Sequence, residues 1–495
     1  MKSILLLLFS LLGPLLLAQT FTEVLDTPFA AARLSSVAFA DVDGDNDQDV
    51  LITGRDNSTP DPNEVTKLYL NDGFGNYSEV MNTPFAGVIF GSVAFGDIDN
   101  DNDQDVLITG RGDLGISIAK LYLNDGFGNF SEVLNTPFEG VYTSSIAFVD
   151  IDGDNDQDIF IAGINDLAYG KSNLYLNDGE ANFALVQGTP FLGVVDAAIA
   201  FADVDGDNDQ DVLITGTNSP AIMPGPITNL YINEGGANFS LMNGTPFEKI
   251  ISGAVAFADV DGDNDQDVLI TGHVNIPPTI LNVAKLYLND GVGNYSEMMG
   301  NPFEGVFLSS IAFADVDGDN DPDVLITGRI STEYPAVRIA KLYTNDGLGT
   351  FSEVLGTPFE AVEFSSVAFA DVDGDSDQDV LITGWIESTP SAGISKLYLN
   401  ENVVAVEEVI TGLDLKLYPN PTRVDEINLS FTSEEYSLLQ INILDLNGRL
   451  LIQVEEQVGF GEQTIAVDIS SLAKGSYFIR IDDGDRKGVW KFIVQ

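Results

Sequence analysis

The chain has 495 residues, 44% of them hydrophobic, with 77 acidic against 21 basic side chains, no cysteine and a formal net charge of −56. Its length and apolar content supply large cores and more than one domain, which excludes a disordered polyanion. The charge would repel nucleic acid and anionic membranes, and the lack of cysteine removes disulfides and thiol chemistry.

At the N-terminus, Lys2 precedes an apolar run from Ile4 to Leu17 and the small-residue exit Ala18-Gln19. This pattern predicts a secretory signal over residues 1–18, cleaved after Ala18. The run is shorter than the roughly 20 residues of a spanning helix and is broken by Ser10, Gly13 and Pro14. No later segment could span a bilayer, so no transmembrane segment is expected in the mature chain.

From residue 19 to 402 the sequence repeats itself. Nine-residue loops begin at Asp41, Asp97, Asp150, Asp203, Asp259, Asp315 and Asp371, at steps of 56, 53, 53, 56, 56 and 56 residues. Each copy follows a Ser-Val-Ala-Phe-Ala run and leads into Val-Leu-Ile-Thr-Gly, a variable stretch, Lys-Leu-Tyr-Leu-Asn-Asp-Gly and Phe-Ser-Glu-Val-Leu. These short β-branched and aromatic runs, separated by Gly turns, predict four strands per repeat, one blade of a β-propeller. The seventh copy stops at Asn400 without its Phe-Ser-Glu-Val-Leu-x-Thr-Pro-Phe piece, which stands instead at Phe21 to Phe29. An N-terminal strand that completes the last blade would lock a seven-bladed ring and cover two exposed edges.

The loops place aspartate at positions 1, 3, 5, 7 and 9: Asp41, Asp43, Asp45, Asp47 and Asp49 in the first copy and Asp97, Asp99, Asp101, Asp103 and Asp105 in the second. Asp150, Asp152, Asp154, Asp156 and Asp158 form the third, and Asp203, Asp205, Asp207, Asp209 and Asp211 the fourth. The last three hold Asp259, Asp261, Asp263, Asp265 and Asp267, then Asp315, Asp317, Asp319, Asp321 and Asp323, then Asp371, Asp373, Asp375, Asp377 and Asp379. Five carboxylates on one short turn repel each other without a cation, and Ca2+ takes six to eight hard oxygen ligands. Up to seven Ca2+ ions are therefore expected, with side chains from positions 1, 3, 5 and 9 and mainly a backbone carbonyl from position 7. An EF-hand is excluded, because position 12 is isoleucine in every copy, from Ile52 to Ile382. Position 6 is Asn in six copies and Ser376 in the seventh, which tolerates a left-handed backbone less well. The Asp371 loop is accordingly expected to bind weakest.

These loops resemble the VCBS and FG-GAP repeats, written Asp-x-Asp-Gly-Asp-Gly-Asp-x-Asp, whose better-known members include the integrin α-subunit propeller. The resemblance covers about residues 21–402 and implies a calcium-stabilised propeller used mostly for binding, although some relatives carry enzymes.

Residues 403–412 read as a linker, and 413–495 as a small β-sandwich with alternating strands at Leu439–Ile443, Gln463–Ile469 and Tyr477–Ile481 and a hairpin turn at Asn447-Gly448. Leu417-Tyr-Pro-Asn-Pro421, Asp445-Leu-Asn-Gly448, Leu472-Ala-Lys-Gly-Ser-Tyr477 and Lys491-Phe-Ile-Val494 look like the C-terminal sorting domain of the type IX secretion system. That resemblance implies the type IX secretion machinery as a partner and an exported protein, extracellular or attached to the outer surface of a Gram-negative bacterium.

No catalytic constellation stands out. The single histidine, His273, is expected on the surface without a role, and Arg111-Gly-Asp113 is expected to be a chance tripeptide. The stretches Asp56 to Thr66, Thr217 to Asn229 and Val274 to Ala284 vary while the frame stays fixed, and in repeat folds such stretches share one face. The expectation is a monomeric, all-β, non-enzymatic binding or adhesion module for a glycan or protein. A polysaccharide hydrolase or lyase on the same scaffold and a structural surface protein are the alternatives.

Overall fold

In the computed structural model the described residues are 20–56, 63–219, 225–276, 279–331, 333, 335–386, 392–401, 416–419, 422, 426–433, 437–444, 450–470, 472, 474–482 and 487–494. The expected signal, the linker and the Asn447-Gly448 turn lie outside them. Two compact units are formed, one by Gln19–Glu401 and one that includes Asn402–Gln495.

The first unit is all-β, made of repeated antiparallel sheets in the manner of a β-propeller. In the first repeat the strands are Ala32–Ala40, Asp49–Asp56, Asn63–Asn71 and Tyr77–Glu79, paired in that order. Later repeats follow the same order, with first strands at Ile89–Gly96, Tyr142–Val149, Val194–Ala202, Ile251–Ala258, Phe307–Ala314 and Glu363–Ala370. Neighbouring repeats also touch through single bridges such as Val65↔Val88 and Ile339↔Val362. The same contact, Lys171↔Val194, joins the third and fourth repeats into one longer sheet.

The last sheet takes its fourth strand from the N-terminus. Thr20–Glu23 pairs with Ala392–Glu401, in register Phe21↔Asn400 and Glu23↔Tyr398. Each first strand packs on that of the repeat before and after, and Ala32–Ala40 packs on Glu363–Ala370. The Ser-Ser pairs explain part of this contact. Ser36 Oγ accepts the Val93 N–H of the next repeat at 3.2 Å, and Ser366 Oγ accepts Val37 N–H at 3.2 Å, so the seventh repeat meets the first as the first meets the second.

Burial follows from the apolar runs. Val50, Leu51 and Ile52 are fully buried, as are their counterparts in the other repeats, because each second strand is covered on both faces. The tyrosine of each third strand is buried in every copy, and in six of them its hydroxyl accepts a backbone N–H from just after the Pro-Phe pair, as Tyr69 does from Ala30 at 2.8 Å. That Phe packs edge-on against it, with Phe29 and Tyr69 centroids 5.1 Å apart.

The second unit pairs Lys416–Tyr418, Glu426–Ser433 and Gly461–Asp468 in one sheet and Leu450–Val458, Ser437–Leu444, Gly475–Asp482 and Lys487–Val494 in another. Ile427, Leu429, Leu439, Ile441, Ile479 and Phe492 share one buried core between the two sheets.

Candidate metal centres

The register fixes where each loop sits. Ala40↔Asp49 closes one end of the first two strands and Ala32↔Asp56 the other, while the second and third strands end at Asp56↔Asn63. All the aspartate loops therefore lie at one end of the sheets, and the second and third strands are joined at the opposite end; residues 57–62 and 220–224 of the variable stretches lie outside the described residues.

Within a loop, position 1 organises the backbone. Asp41 Oδ1 accepts the N–H groups of Gly44 at 2.8 Å and Asp45 at 3.2 Å, and its Oδ2 accepts Asn46 N–H at 2.9 Å. The turn is left-handed at positions 4 and 6: φ is +79° at Gly44 and +68° at Asn46. Asn100 adopts +60° where other copies have glycine, and Ser376 is held at +72°.

Position 9 is the buried root of the loop. Asp49 is 1% exposed; its Oδ2 accepts Val42 N–H at 3.0 Å and its Oδ1 accepts Asn71 N–H at 2.8 Å. Burial pushes these carboxyls up to about 7 in Asp49, Asp105, Asp211, Asp267 and Asp323, about 6 in Asp158 and about 8 in Asp379.

Position 3 carries the observation that tests the fit of a cation. One carboxylate oxygen of Asp43, Asp99, Asp152, Asp205, Asp261 and Asp317 is buried with no hydrogen-bond partner among the described residues. Desolvation and the neighbouring position-5 carboxylate raise all six above the usual carboxylate range. An orphaned anionic oxygen is costly unless a positive partner completes it.

Ligand atoms from Asp41, Asp43 and Asp45 lie within 4.8 Å of one another, as do those from Asp97, Asp99 and Asp101 and from Asp259, Asp261 and Asp263. In the third and fourth loops position 9 joins instead, giving Asp150, Asp152 and Asp158 and Asp203, Asp205 and Asp211. The donor set is all oxygen and strongly anionic, which could hold a hard divalent cation.

Position 7 turns elsewhere. The Asp47, Asp103, Asp156, Asp265 and Asp321 carboxylates press on the Asp-Gly turn of their own sheet, where a Cβ at Gly73 would stand 2.7 Å from Asp47 Oδ1. Asp209 approaches its turn less closely, with Gly235. The seventh repeat has no Asp-Gly turn, and Asp377 is buried there.

One repeated residue escaped the motif reading. The asparagine ending each third strand donates its backbone N–H to position 9 and its side-chain N–H to the position-2 carbonyl of the preceding loop. Asn124 reaches Val42 O, Asn233 reaches Ile151 O and Asn400 reaches Val316 O, each at 2.8 Å, and Asn71 reaches Val372 O at 2.8 Å. The available signal was its presence in all seven copies, where the following Asp-Gly is missing from two.

Three other expectations are refined. His273 is half-buried, with Nδ1 3.1 Å from Asn282 Oδ1 and its ring 5.3 Å from that of Phe307, so it is a packed residue where a surface one was expected. In the Arg-Gly-Asp segment, Arg111 Nε donates to Gly115 O at 3.0 Å and its guanidinium lies over the Tyr142 ring at 5.1 Å. Of the stretch from Val274 to Ala284, Val274–Ile276 and Thr279–Ala284 belong to the strands Asp267–Ile276 and Thr279–Leu288, whose ladder runs on to Ile276↔Thr279; Pro277 and Pro278 lie outside the described residues.

The chain combines repeated acidic-loop sheets with a small C-terminal pair of sheets. The model of the secretion system C-terminal sorting domain matches residues 416–495, and that of the FG-GAP-like repeat matches 41–108, 97–161 and 150–214. The chain thus carries FG-GAP-like repeats and ends in a type IX sorting domain, which directs export to the cell surface or beyond it. Among the described residues no helix is long and apolar enough to cross a membrane. No curated protein matches the chain. Among solved structures it is similar to AofleA from Arthrobotrys oligospora, at 12% identity over 68% of this chain and 91% of that one with a TM-score of 0.37. It is also similar to dimeric latent PorU from Porphyromonas gingivalis, at 11% identity over 82% and 34% with a TM-score of 0.15.

Proposed function

We propose that this exported chain is a calcium-stabilised, seven-bladed propeller whose loop-bearing face binds a glycan or protein outside the cell, without turnover. The observation that carries this reading is the division between the two ends of the sheets. One end repeats nearly identical acidic loops; the other holds the stretches that differ from copy to copy. Identical ends build a frame, and unequal ends discriminate among ligands.

Calcium suits the orphaned position-3 oxygens and the all-oxygen donor set better than Mg2+, which keeps its waters and demands strict octahedral geometry. Positions 1, 3 and 5, with position 9 where it faces the cluster, would hold the ion. The bound charge would offset the mutual repulsion of each loop.

Some of the remaining charge braces the frame. Lys67, Lys120 and Lys341 pair with Glu79, Glu132 and Glu353 at 3.0, 2.9 and 3.1 Å, linking third to fourth strands.

A glycan and protein binding screen on the exported chain, with calcium and with chelator, should give a ligand that is retained only with calcium. Hydrolysis or elimination of a polysaccharide by the purified protein would replace the reading with an enzymatic one. The seven sites should also be unequal. Calcium titration of a variant with Asp371→Asn and Asp375→Asn should lose the lowest-affinity step, since Ser376 sits at a positive φ without the side-chain amide of asparagine; loss of the tightest step would reverse that ranking.

A further inference from the structure

The first strand of every repeat is bulged near its start, as between Arg33 and Ser36 and between Glu363 and Ser366. The bulge brings the seven repeats together around one cavity of about 200 Å³, on the end of the sheets opposite the aspartate loops. The first bulge residue lines it and has a left-handed backbone in all seven copies, with φ from +43° at Thr143 to +53° at Leu34.

Glycine would adopt that conformation without strain, and the chain has 48 glycines, yet none stands there. The residue after it is always small: Ser35, Gly91, Ser144, Ala197, Gly253, Ser309 or Ser365. Side chains are thus kept where the backbone disfavours them, and they differ while the flanking Ala-Phe does not. Strain retained at one ring of unequal side chains points to a use for those side chains.

The differences are ordered around the ring. Repeats six, seven, one and two supply Leu308, Phe364, Leu34 and Phe90, a continuous apolar arc in which the rings of Phe90 and Phe364 lie 6.4 Å apart. Repeats three, four and five supply Thr143, Asp196 and Ser252, a continuous polar arc. Asp196 is exposed in this cavity, beside Thr143, whose Oγ1 accepts the Asp196 N–H at 3.4 Å.

We propose that this cavity binds one neutral pyranose ring, the terminal sugar of a glycan. A pyranose has an apolar C–H face that stacks on aromatic rings and an edge of vicinal hydroxyls that donate to a carboxylate and exchange hydrogen bonds with Ser and Thr. The two arcs match those two surfaces, and the cavity admits a single ring. The proposal rests on the loop-bearing face being the binding face, and it names the ligand class there.

Trp385 supplies a reporter, because its ring lies 6.3 Å from that of Phe364 and only one other tryptophan, Trp490, is present in the chain. In the full chain carrying Trp490→Phe, with calcium, a panel of methyl hexopyranosides and methyl deoxyhexopyranosides should include at least one that changes the Trp385 emission saturably. Asp196→Ala and Phe90→Ala should each weaken that binding tenfold or more, while Leu114→Ala, an exposed site outside the cavity, should leave it unchanged. Unaltered melting of the Asp196→Ala protein separates lost binding from lost folding. No response across the panel, a response equal in all variants, or saturation by a simple alkylamine in place of the sugars overturns the proposal. A hit in the glycan screen that ignores Asp196→Ala overturns this site alone and leaves the binding-module reading standing; no ligand in either experiment removes both.

Discussion

Chelation should lower the melting temperature of this protein by more than about 10 °C, with calcium restoring it. An ion that binds only the native state stabilises it by mass action, about 2.7 kcal/mol per site when free calcium is a hundredfold above Kd. Several such loops add, and the loops are joined to the frame rather than hung from it: position 9 holds the third strand of its own repeat, and the adjoining asparagine holds the loop before. Loosening one loop therefore loosens two repeats.

The pH dependence carries a sign that distinguishes this account from a general salt effect. In chelator, the position-9 carboxyls have native values of about 6 to 8 against an ordinary value of 3.8. The native state then holds more protons than the unfolded state between those values, so stability falls as pH rises from about 4 to about 8. With saturating calcium the ion keeps these carboxyls ionised, as they are in the unfolded state above about pH 5, so the fall should be abolished and stability should stay level from about pH 5 to 8. Melting curves across pH in EDTA and in calcium check the difference; parallel curves in the two media, or unchanged melting on chelation, would refute the metal assignment.

Asp211→Ala should cost about 2–5 kcal/mol even in chelator. Asp211 is fully buried and accepts Val204 N–H at 2.9 Å and Asn233 N–H at 2.7 Å, so truncation orphans two buried donors, each costing about 1–3 kcal/mol. It also releases the Asn233 side chain, which bonds Ile151 O of the preceding repeat at 2.8 Å. Asp207→Ala makes the contrast. Asp207 is exposed and accepts the Asp209 N–H at 2.9 Å, so its loss should cost under about 1 kcal/mol in chelator yet blunt the calcium response. Urea unfolding of both variants, with and without calcium, measures the difference; equal losses in chelator would mean that position 9 is no more structural than position 5.

The strand order was legible because it rests on local signals. The Val-Leu-Ile-Thr runs, the Asp-Gly turns and the spacing of the aspartate loops each act within a few residues, and each recurs often enough to cancel chance. The alternate-position carboxylates likewise announced an oxygen-rich cluster, since their charge repulsion is a property of the turn alone.

What stayed hidden depends on partners far away in the chain. Nothing in the Lys-Leu-Tyr-Leu-Asn run shows that Asn400 reaches Val316 O, or that Tyr398 takes the Glu360 N–H at 3.1 Å. The Val274 to Ala284 stretch read as a loop because its pairing continues a ladder set by neighbouring strands. The division of labour among the five aspartates also needed the fold. By itself the sequence determined the repeat, its strands and the acidic loops, because short-range stereochemistry and charge spacing encode them; the sorting tail was legible only through its resemblance to a known family. Only the tertiary structure decided that position 9 is a buried frame residue, that position 3 is left with an orphaned oxygen in the first six loops, and that Leu34, Phe90, Thr143 and Asp196 share one cavity. Burial and convergence are properties of chain segments brought together from hundreds of residues apart, and no local pattern carries them.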